Sequence, residues 1–164
     1  MRPLRFPEEP TMDQELGAFN YVPRPGGAGE ARSHEDWRRA RAAHVGLLLM
    51  GMRRVNLLLV GIDGMVWSVL RTLLPNLEEP VVSWCPGESL VLPLAVRSGT
   101  LVLHDVGVMP ADQQLQLLQW LEDSRCRTQV ISMTSVSLLP RVQSGAFVDT
   151  LYYRLNTVCV DVTA

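Results

Sequence analysis

The chain of 164 residues contains no lysine, and all 15 of its basic residues are arginine. This absence excludes the lysine of a phosphate-binding loop, a Schiff-base lysine and a lysine general base. Cysteine is also scarce, and the three cysteines lack the Cys-x-x-Cys spacing that is typical of metal and redox sites. We interpret Cys85, Cys126 and Cys159 as reduced thiols of a cytoplasmic protein.

The chain also has little excess charge and no long hydrophobic run. Its formal net charge is −2, which gives no broad electrostatic reason to bind nucleic acid or an anionic membrane. Every apolar run is much shorter than the ~20 residues that a membrane-spanning helix needs, and the N-terminus has no apolar signal segment. We therefore expect neither a nucleic acid nor a membrane as partner, and we expect a cytoplasmic location.

Composition divides the chain into two parts. Residues 1–32 are rich in proline and include the tract Gly26-Gly27-Ala28-Gly29, without a period of 2 or 3.6 residues. This pattern predicts an extended or disordered N-terminal arm. Residues 33–164 are predicted to form one α/β core domain, which opens with a helix over about 34–51 capped by Ser33.

Short, continuous apolar runs recur through this second part. Such runs are typical of parallel strands that are covered on both faces. They predict strands at about 55–60, 80–84, 101–104, 128–133 and 158–162, and helices at about 69–74, 109–123 and 138–144. In the second of these helices we expect a buried stripe of Leu115, Leu118, Trp120 and Leu121, with Gln113, Gln114 and Gln119 outside.

The central predicted strand ends in His104 and Asp105. Ligands of open parallel α/β sheets bind at the carboxyl ends of the strands, so this pair is a candidate for hydrolytic or metal chemistry. The alternative is a histidine at the sheet edge followed by an aspartate that turns the loop. Because adjacent strand residues point to opposite faces, we expect that the two side chains do not share a ligand.

The run from Gly99 to Asp105, GTLVLHD, is followed by a helix, a strand and the string LYYRLN at 151–156. This arrangement resembles the AAA+ core of the bacterial activators of sigma-54 RNA polymerase, in a degenerate and shortened form. The resemblance covers about residues 99–162. It implies a three-layer α/β sandwich of the P-loop NTPase type, with a five-stranded parallel sheet in the order 5-1-4-3-2 and without the helical lid domain.

The resemblance also implies where a nucleotide site would lie. The segment 61–68, GIDGMVWS, takes the place of the family's phosphate-binding loop, GESGTGKE, with Trp67 at the position of the lysine. His104 and Asp105 take the places of the magnesium-binding aspartate and the catalytic glutamate, and Ser135 that of the asparagine that senses the γ-phosphate. The degenerate site comprises Gly61, Asp63, Gly64, Trp67, Ser68, His104, Asp105 and Ser135.

We assign no catalytic residue, no metal ligand and no cofactor to this site, and weak binding of ATP and Mg²⁺ is not expected. The loop GAFTGA, with which the family contacts the sigma factor, has no counterpart between residues 85 and 99. Arg154, with Tyr152 and Tyr153, corresponds to a segment at the family's subunit boundary and is a candidate contact with another subunit or partner. Alternatively, Arg154 anchors a carboxylate such as Asp149.

Three functional hypotheses remain open. The first is a catalytically inactive AAA+-like domain that regulates or scaffolds a protein partner, either itself or another transcription regulator. The second is a sensor that binds a nucleotide or anion without efficient hydrolysis. The third is an enzyme of altered chemistry that uses His104 and Asp105.

Overall fold

The sheet of this protein is known from a computed structural model that describes residues 55–94, 97–123 and 125–162, with the side chain of Asp63 excepted. The predicted arm at 1–32 and the predicted helix at 34–51 lie outside the described residues. Five parallel strands form one sheet in the order β2-β3-β4-β1-β5, which is the predicted order 5-1-4-3-2 read from the other edge. The strands are β1 (Leu57–Val60), β2 (Val81–Trp84), β3 (Ser98–Leu103), β4 (Arg127–Thr134) and β5 (Val158–Asp161).

Helices cover both faces of the sheet and complete the predicted three layers. One face carries α1 (Asp63–Leu73), and its core joins Leu59 of β1 to Leu70 of the helix. The other face carries α2, α3 and α4, and its core joins Leu58, Leu103 and Leu117. These three helices span Ala111–Glu122, Leu139–Gln143 and Asp149–Leu155. Successive leucines of β1 thus enter opposite cores, which explains why the apolar runs are continuous.

The first helix begins about six residues earlier than the sequence predicted. Ile62 is extended (φ −62°, ψ 144°), and the helix starts at Asp63 instead of near residue 69. Gly64 lies in the first turn, and the Ser68 hydroxyl donates a hydrogen bond of 2.8 Å to the Gly64 carbonyl oxygen, one turn back. The connection between β1 and the helix is therefore only Gly61 and Ile62, whereas the prediction had placed a longer loop there.

The buried stripe of α2 also differs from the prediction. Gln114 is only 2% exposed, while Leu115 is 51% exposed. The Gln114 amide nitrogen donates to the carbonyl oxygens of Met109 and Ala146 at 2.8 and 3.2 Å, and its amide oxygen accepts from the Val148 N–H at 2.8 Å. Gln114 is buried because it satisfies three backbone groups that would otherwise be unpaired in the interior.

After β2, the described residues 85–94 begin the crossover to β3, and three side chains of α2 bind this segment from one face of the helix. Gln113 donates to the Glu88 carbonyl oxygen at 3.1 Å and Gln116 to that of Leu90 at 3.4 Å. The Trp120 indole donates to the Pro93 carbonyl oxygen at 2.8 Å. Residues 113, 116 and 120 share a helix face, so the crossover runs along α2.

At the amino-terminal edge of the sheet, hydrogen bonds of Asn56 connect neighbouring elements. Its side-chain amide donates to the Arg154 carbonyl oxygen and accepts from the Val130 N–H, both at 2.9 Å. The Asn56 carbonyl oxygen accepts from Val158 at 3.1 Å. One residue therefore connects β1 with β4, with the end of α4 and with β5. None of the helices in the described residues is long and apolar enough to cross a membrane.

Candidate functional site

A cavity of about 270 Å³ opens at the carboxyl-terminal edge of the sheet. Five of the eight predicted site residues line it, because each directly follows a strand or lies in the first turns of α1. They are Gly61, Trp67, His104, Asp105 and Ser135. The fold thus brings together at one cavity residues up to 74 positions apart in the chain, from Gly61 to Ser135.

An aromatic stack forms one wall of this cavity. The rings of Trp67 and His104 stack with centroids 4.9 Å apart and an angle of 25° between their planes. Trp67 is half-buried, and His104 is only 8% exposed. An indole thus occupies the position at which the resemblance would place a lysine amine, and it packs against the imidazole.

The His104 imidazole is kept neutral by its surroundings. Burial lowers its pKa, because a charged ring loses hydration there, and the carboxylate of Glu88 opposes this effect only in part. The His104 Nε2 atom is buried and has no hydrogen-bond partner among the described residues. A buried polar atom without a partner lowers the stability of the folded state by about 1–3 kcal/mol. A hydrogen bond from a bound molecule to this nitrogen would remove that cost.

Asp105 reaches the cavity through an unusual backbone conformation. The strand ends at Leu103, and Asp105 is left-handed (φ 41°, ψ 55°), a region that aspartate and asparagine tolerate better than most residues. His104 and Asp105 both line the cavity, because strand alternation does not continue past residue 103. That their side chains do not share a ligand stays a prediction.

The carboxylate of Asp105 is half-buried. Within the described ranges it has no ion pair and accepts no hydrogen bond. Arg154 does not reach it, because the Arg154 carbonyl oxygen is bonded to Asn56 at the opposite edge of the sheet. Asp105 is therefore an available negative charge in the cavity wall.

Two of the remaining predicted site residues, Gly64 and Ser68, do not line the cavity. Gly64 is exposed on α1, with no atom within 4 Å of the position that a Cβ would take. The Ser68 hydroxyl is engaged in its bond to the Gly64 carbonyl oxygen. Asp63 belongs to the same first turn, and its side chain is not among the described parts. The early start of α1 explains this, since it turns these residues into helix instead of loop.

The sequence analysis missed five residues that line the cavity. Cys85 follows β2, so the rule that locates ligands at strand ends could have found it. Burial raises the pKa of the Cys85 thiol, and the Glu88 carboxylate raises it further, so the thiol stays protonated. Thr134 directly follows the predicted strand at 128–133, so the same rule could have found it. The other missed residues give no signal because they are apolar: Val66, Pro86 and Met133.

The cavity does not fit a magnesium–triphosphate group. None of the described lining residues is an arginine, and the chain has no lysine. Asp105 is the one carboxylate among the described lining residues, and in the described part of the chain no group of three or more acidic, histidine or cysteine side chains could hold a metal ion. Triphosphate chemistry requires cations that neutralise its charge, and these walls supply none.

The second predicted contact region lies at the other edge of the sheet. Tyr153 is 70% exposed and Arg154 is exposed, while Tyr152 is half-buried, with its ring centroid 5.3 Å from that of Tyr153. Asp149 accepts its hydrogen bonds from Thr150, and no ion pair joins it to Arg154 in the described part of the chain. The anchoring alternative for Arg154 is therefore not observed.

Comparison with known proteins agrees with this architecture. The family model described as Sigma-54 interaction domain matches residues 47–164. The transcriptional regulatory protein GlrR of Escherichia coli (strain K12) is 35% identical over 81 residues, which are 43% of this chain and 18% of that protein. The DNA-binding transcriptional regulator NtrC of the same strain is 36% identical over 73 residues, 38% of this chain and 16% of that protein. The chain thus spans less than a fifth of the length of these relatives.

Solved structures show the same fold at lower identity. NtrX from Brucella abortus in complex with ADP superposes with a TM-score of 0.60 at 17% identity, covering 82% of this chain and 41% of that chain. NtrX in complex with ATP gives a TM-score of 0.55 at 18% identity, covering 78% and 36%.

Proposed function

The chain belongs to the sigma-54 interaction domain family, and we propose that it acts in transcription regulation as a catalytically inactive member, a regulatory or scaffolding module that binds another protein. The relatives are transcription regulators, and NtrX, which shares the fold, was crystallised with ATP and with ADP. The part of the family's domain that we propose this chain has lost is the nucleotide site.

The observation that carries the proposal is the early start of α1. A phosphate-binding loop works because several backbone N–H groups of a glycine-rich turn surround the phosphates. Here residues 63–66 are helical, and the segment left for a loop is Gly61 and Ile62. Gly64 does not line the cavity.

The chemistry of the walls supports the same conclusion. Enzymatic phosphoryl transfer consists largely of positioning and of stabilising negative charge. Trp67 supplies no charge, and the neutral His104 is a poor ligand for Mg²⁺, which prefers oxygen. Two separate contributions to catalysis are thus missing from one cavity.

The test is phosphate release and nucleotide binding by the purified full chain with ATP and Mg²⁺. We expect no steady release of phosphate and a Kd weaker than roughly 100 μM, which corresponds to about 5 kcal/mol of binding free energy. Steady release that Asp105→Asn abolishes would overturn the proposal. Tighter binding without release would favour the alternative function, a nucleotide or anion sensor.

A variant that combines Val66→Gly with Trp67→Lys is the matched partner in this experiment. It restores the glycine and the lysine of the family's loop and removes the indole. We expect it to bind ATP more tightly than the unchanged chain, because an amine then faces the phosphates. If the combined variant binds ATP no more tightly than the unchanged chain, residues 66 and 67 are not what excludes the nucleotide.

The surface for a protein partner is proposed to include Tyr153 and Arg154. Both are exposed, and tyrosine and arginine are enriched among the residues that contribute most to protein interfaces. We expect Tyr153→Ala with Arg154→Ala to weaken association with a second copy of the chain or with another activator of this family, as measured by light scattering of the mixed proteins. Arg71→Ala, an exposed arginine of α1, is the control. Equal loss in both variants would contradict the assignment.

A further inference from the structure

We infer that the cavity between Trp67 and Asp105 binds a small organic cation, a molecule that carries an ammonium group and a short polar arm. The inference rests on the proposed loss of nucleotide binding, because a cavity that held triphosphate would have no room for another ligand. The cavity would then have a ligand of its own instead of being only a former nucleotide site.

The size of the cavity suits a small molecule. Its volume of about 270 Å³ is several times the ~30 Å³ that one water occupies in the liquid. It lies just below the range of ~300–1,000 Å³ that is usual for ligand sites. The ligand is therefore smaller than a nucleotide.

The charge of the cavity selects against anions and for cations. Asp105 contributes a carboxylate without an ion-pair partner among the described residues, and no arginine of the described ranges lines the walls. The carboxylate of Glu88 also acts on this region. It adds to the raised pKa of Cys85, and it opposes in part the lowering of the His104 pKa by burial. Two negative charges thus act on the cavity, and His104 is neutral.

The aromatic wall adds a second preference for cations. Ammonium groups are attracted to the faces of aromatic rings, and tryptophan is the strongest of these partners. Trp67 lines the cavity, and its stacking on His104 fixes the orientation of the indole. An aromatic face beside a carboxylate is an arrangement that suits an ammonium group.

The unpaired nitrogen of His104 is an independent sign of a ligand. The side chain lines the cavity and is 92% buried, and its Nε2 has no partner among the described residues. A hydroxyl group can donate to or accept from an imidazole nitrogen, whichever tautomer is present. A polar arm on the cation would therefore satisfy an atom that this chain leaves unpaired.

The amino terminus of α1 does not reverse this preference. The free N–H groups of a helix start attract anions, by typically 0.3–1 kcal/mol. The described lining includes Val66 of this helix but not Gly64, and the Val66 N–H already donates to the Ile62 carbonyl oxygen at 3.2 Å. The Val66 N–H is therefore not free to bind an anion in the cavity.

Titration calorimetry on the full chain tests the inference with choline and with its uncharged isostere, 3,3-dimethylbutan-1-ol, at equal ionic strength. We expect choline to bind about tenfold more tightly, because only choline has a charge for Trp67 and Asp105. Tetramethylammonium, which lacks the hydroxyl group, should bind more weakly than choline. Equal affinity for choline and the isostere, or no choline binding at roughly 10 mM, would overturn the inference.

Asp105→Asn is the decisive variant. Asparagine tolerates the left-handed backbone at this position, so the variant should fold, and it should lose the preference for choline over the isostere. Trp67→Leu should weaken choline binding as well. An unchanged preference in Asp105→Asn would show that the carboxylate is not involved. Parallel titration with ATP separates the two proposals, since ATP binding would refute the proposed function, and absence of both would refute only this inference.

Discussion

The indole ring of Trp67 stacks on the imidazole ring of His104, with 4.9 Å between the ring centroids. The two residues come from the second turn of α1 and from the end of β3, and each takes the place of a residue that handles nucleotide in the resemblance to AAA+ proteins. Trp67 and His104 therefore contact each other directly. A substitution of either residue should change the surroundings of the other ring.

The stack should contribute to stability. We expect Trp67→Ala to lower the free energy of unfolding by about 1–3 kcal/mol, which is less than a fully buried aromatic residue because Trp67 is half-buried. Urea denaturation measures the change. Trp67→Phe keeps a ring over His104 and should lose less. An equal loss in both variants would show that the ring contact is not the source.

The pH dependence of stability should report on His104. Its pKa in the folded chain is lowered from the usual 6.5, so the unfolded chain takes up a proton at higher pH than the folded chain does. The contribution of His104 is therefore complete above about pH 6.5, falls as the pH drops below that value, and levels off below the folded pKa.

Urea denaturation over pH 5–8 measures this slope, and His104→Gln is the control that removes it. Asp123 cannot account for the effect, because Arg125 lowers the pKa of that carboxyl to about 2 and it titrates at more acidic pH. If the unchanged chain and His104→Gln show the same slope between pH 5 and 7, the lowered pKa of His104 is refuted.

Gly64→Ala tests whether α1 begins at Asp63. Gly64 is exposed, has ample space for a Cβ and lies in the helix. Alanine should therefore raise the free energy of unfolding by about 0.5–1 kcal/mol, because it loses less conformational entropy in a helix. Thermal or urea denaturation measures the gain. A loss of stability would indicate that residue 64 has a loop conformation that only glycine adopts.

Gly99→Ala should have the opposite effect. A Cβ on Gly99 would lie 2.7 Å from the Pro80 carbonyl oxygen, and the residue has a φ of +155°. Because the neighbouring atom belongs to the backbone of the adjacent strand connection, it cannot move away without disturbing β2. We expect a loss of about 2 kcal/mol or more in urea denaturation, and a neutral result would contradict the close approach.

Gln114→Ala should be among the most damaging changes in α2. It would leave the carbonyl oxygens of Met109 and Ala146 and the Val148 N–H without their partner. We expect a loss of about 2–4 kcal/mol, since each buried unpaired group costs about 1–3 kcal/mol. Gln119→Ala, on the exposed side of the same helix, should change stability by less than about 0.5 kcal/mol. Equal effects would show that the burial of Gln114 is not important.

The sheet was predictable because its strands are continuous apolar runs that must be buried on both faces. The strand order followed from the string LYYRLN and the GTLVLHD run, through the resemblance. Spacing alone would not have given it. The early start of α1 was missed because Gly61 and Gly64 imitate a loop sequence, whereas residues 63–68 are compatible with a helix once no phosphate has to be surrounded.

Gln114 was predicted to be outside because amides are usually solvated, but three backbone partners within reach reverse that preference. Two of these partners, Ala146 and Val148, lie 32 and 34 positions away, and a single sequence does not display such contacts. Asp105 lines the same cavity as His104 because the strand ends at Leu103, and the sequence does not locate the end of a strand to the residue.

Asn56 lies at the edge of the sheet that faces away from the cavity. Its three hydrogen bonds fasten the base of β1 to two neighbouring strands and to α4. None of the residues in these three bonds belongs to the described lining of the cavity. A substitution in that lining therefore leaves these connections between the strands in place.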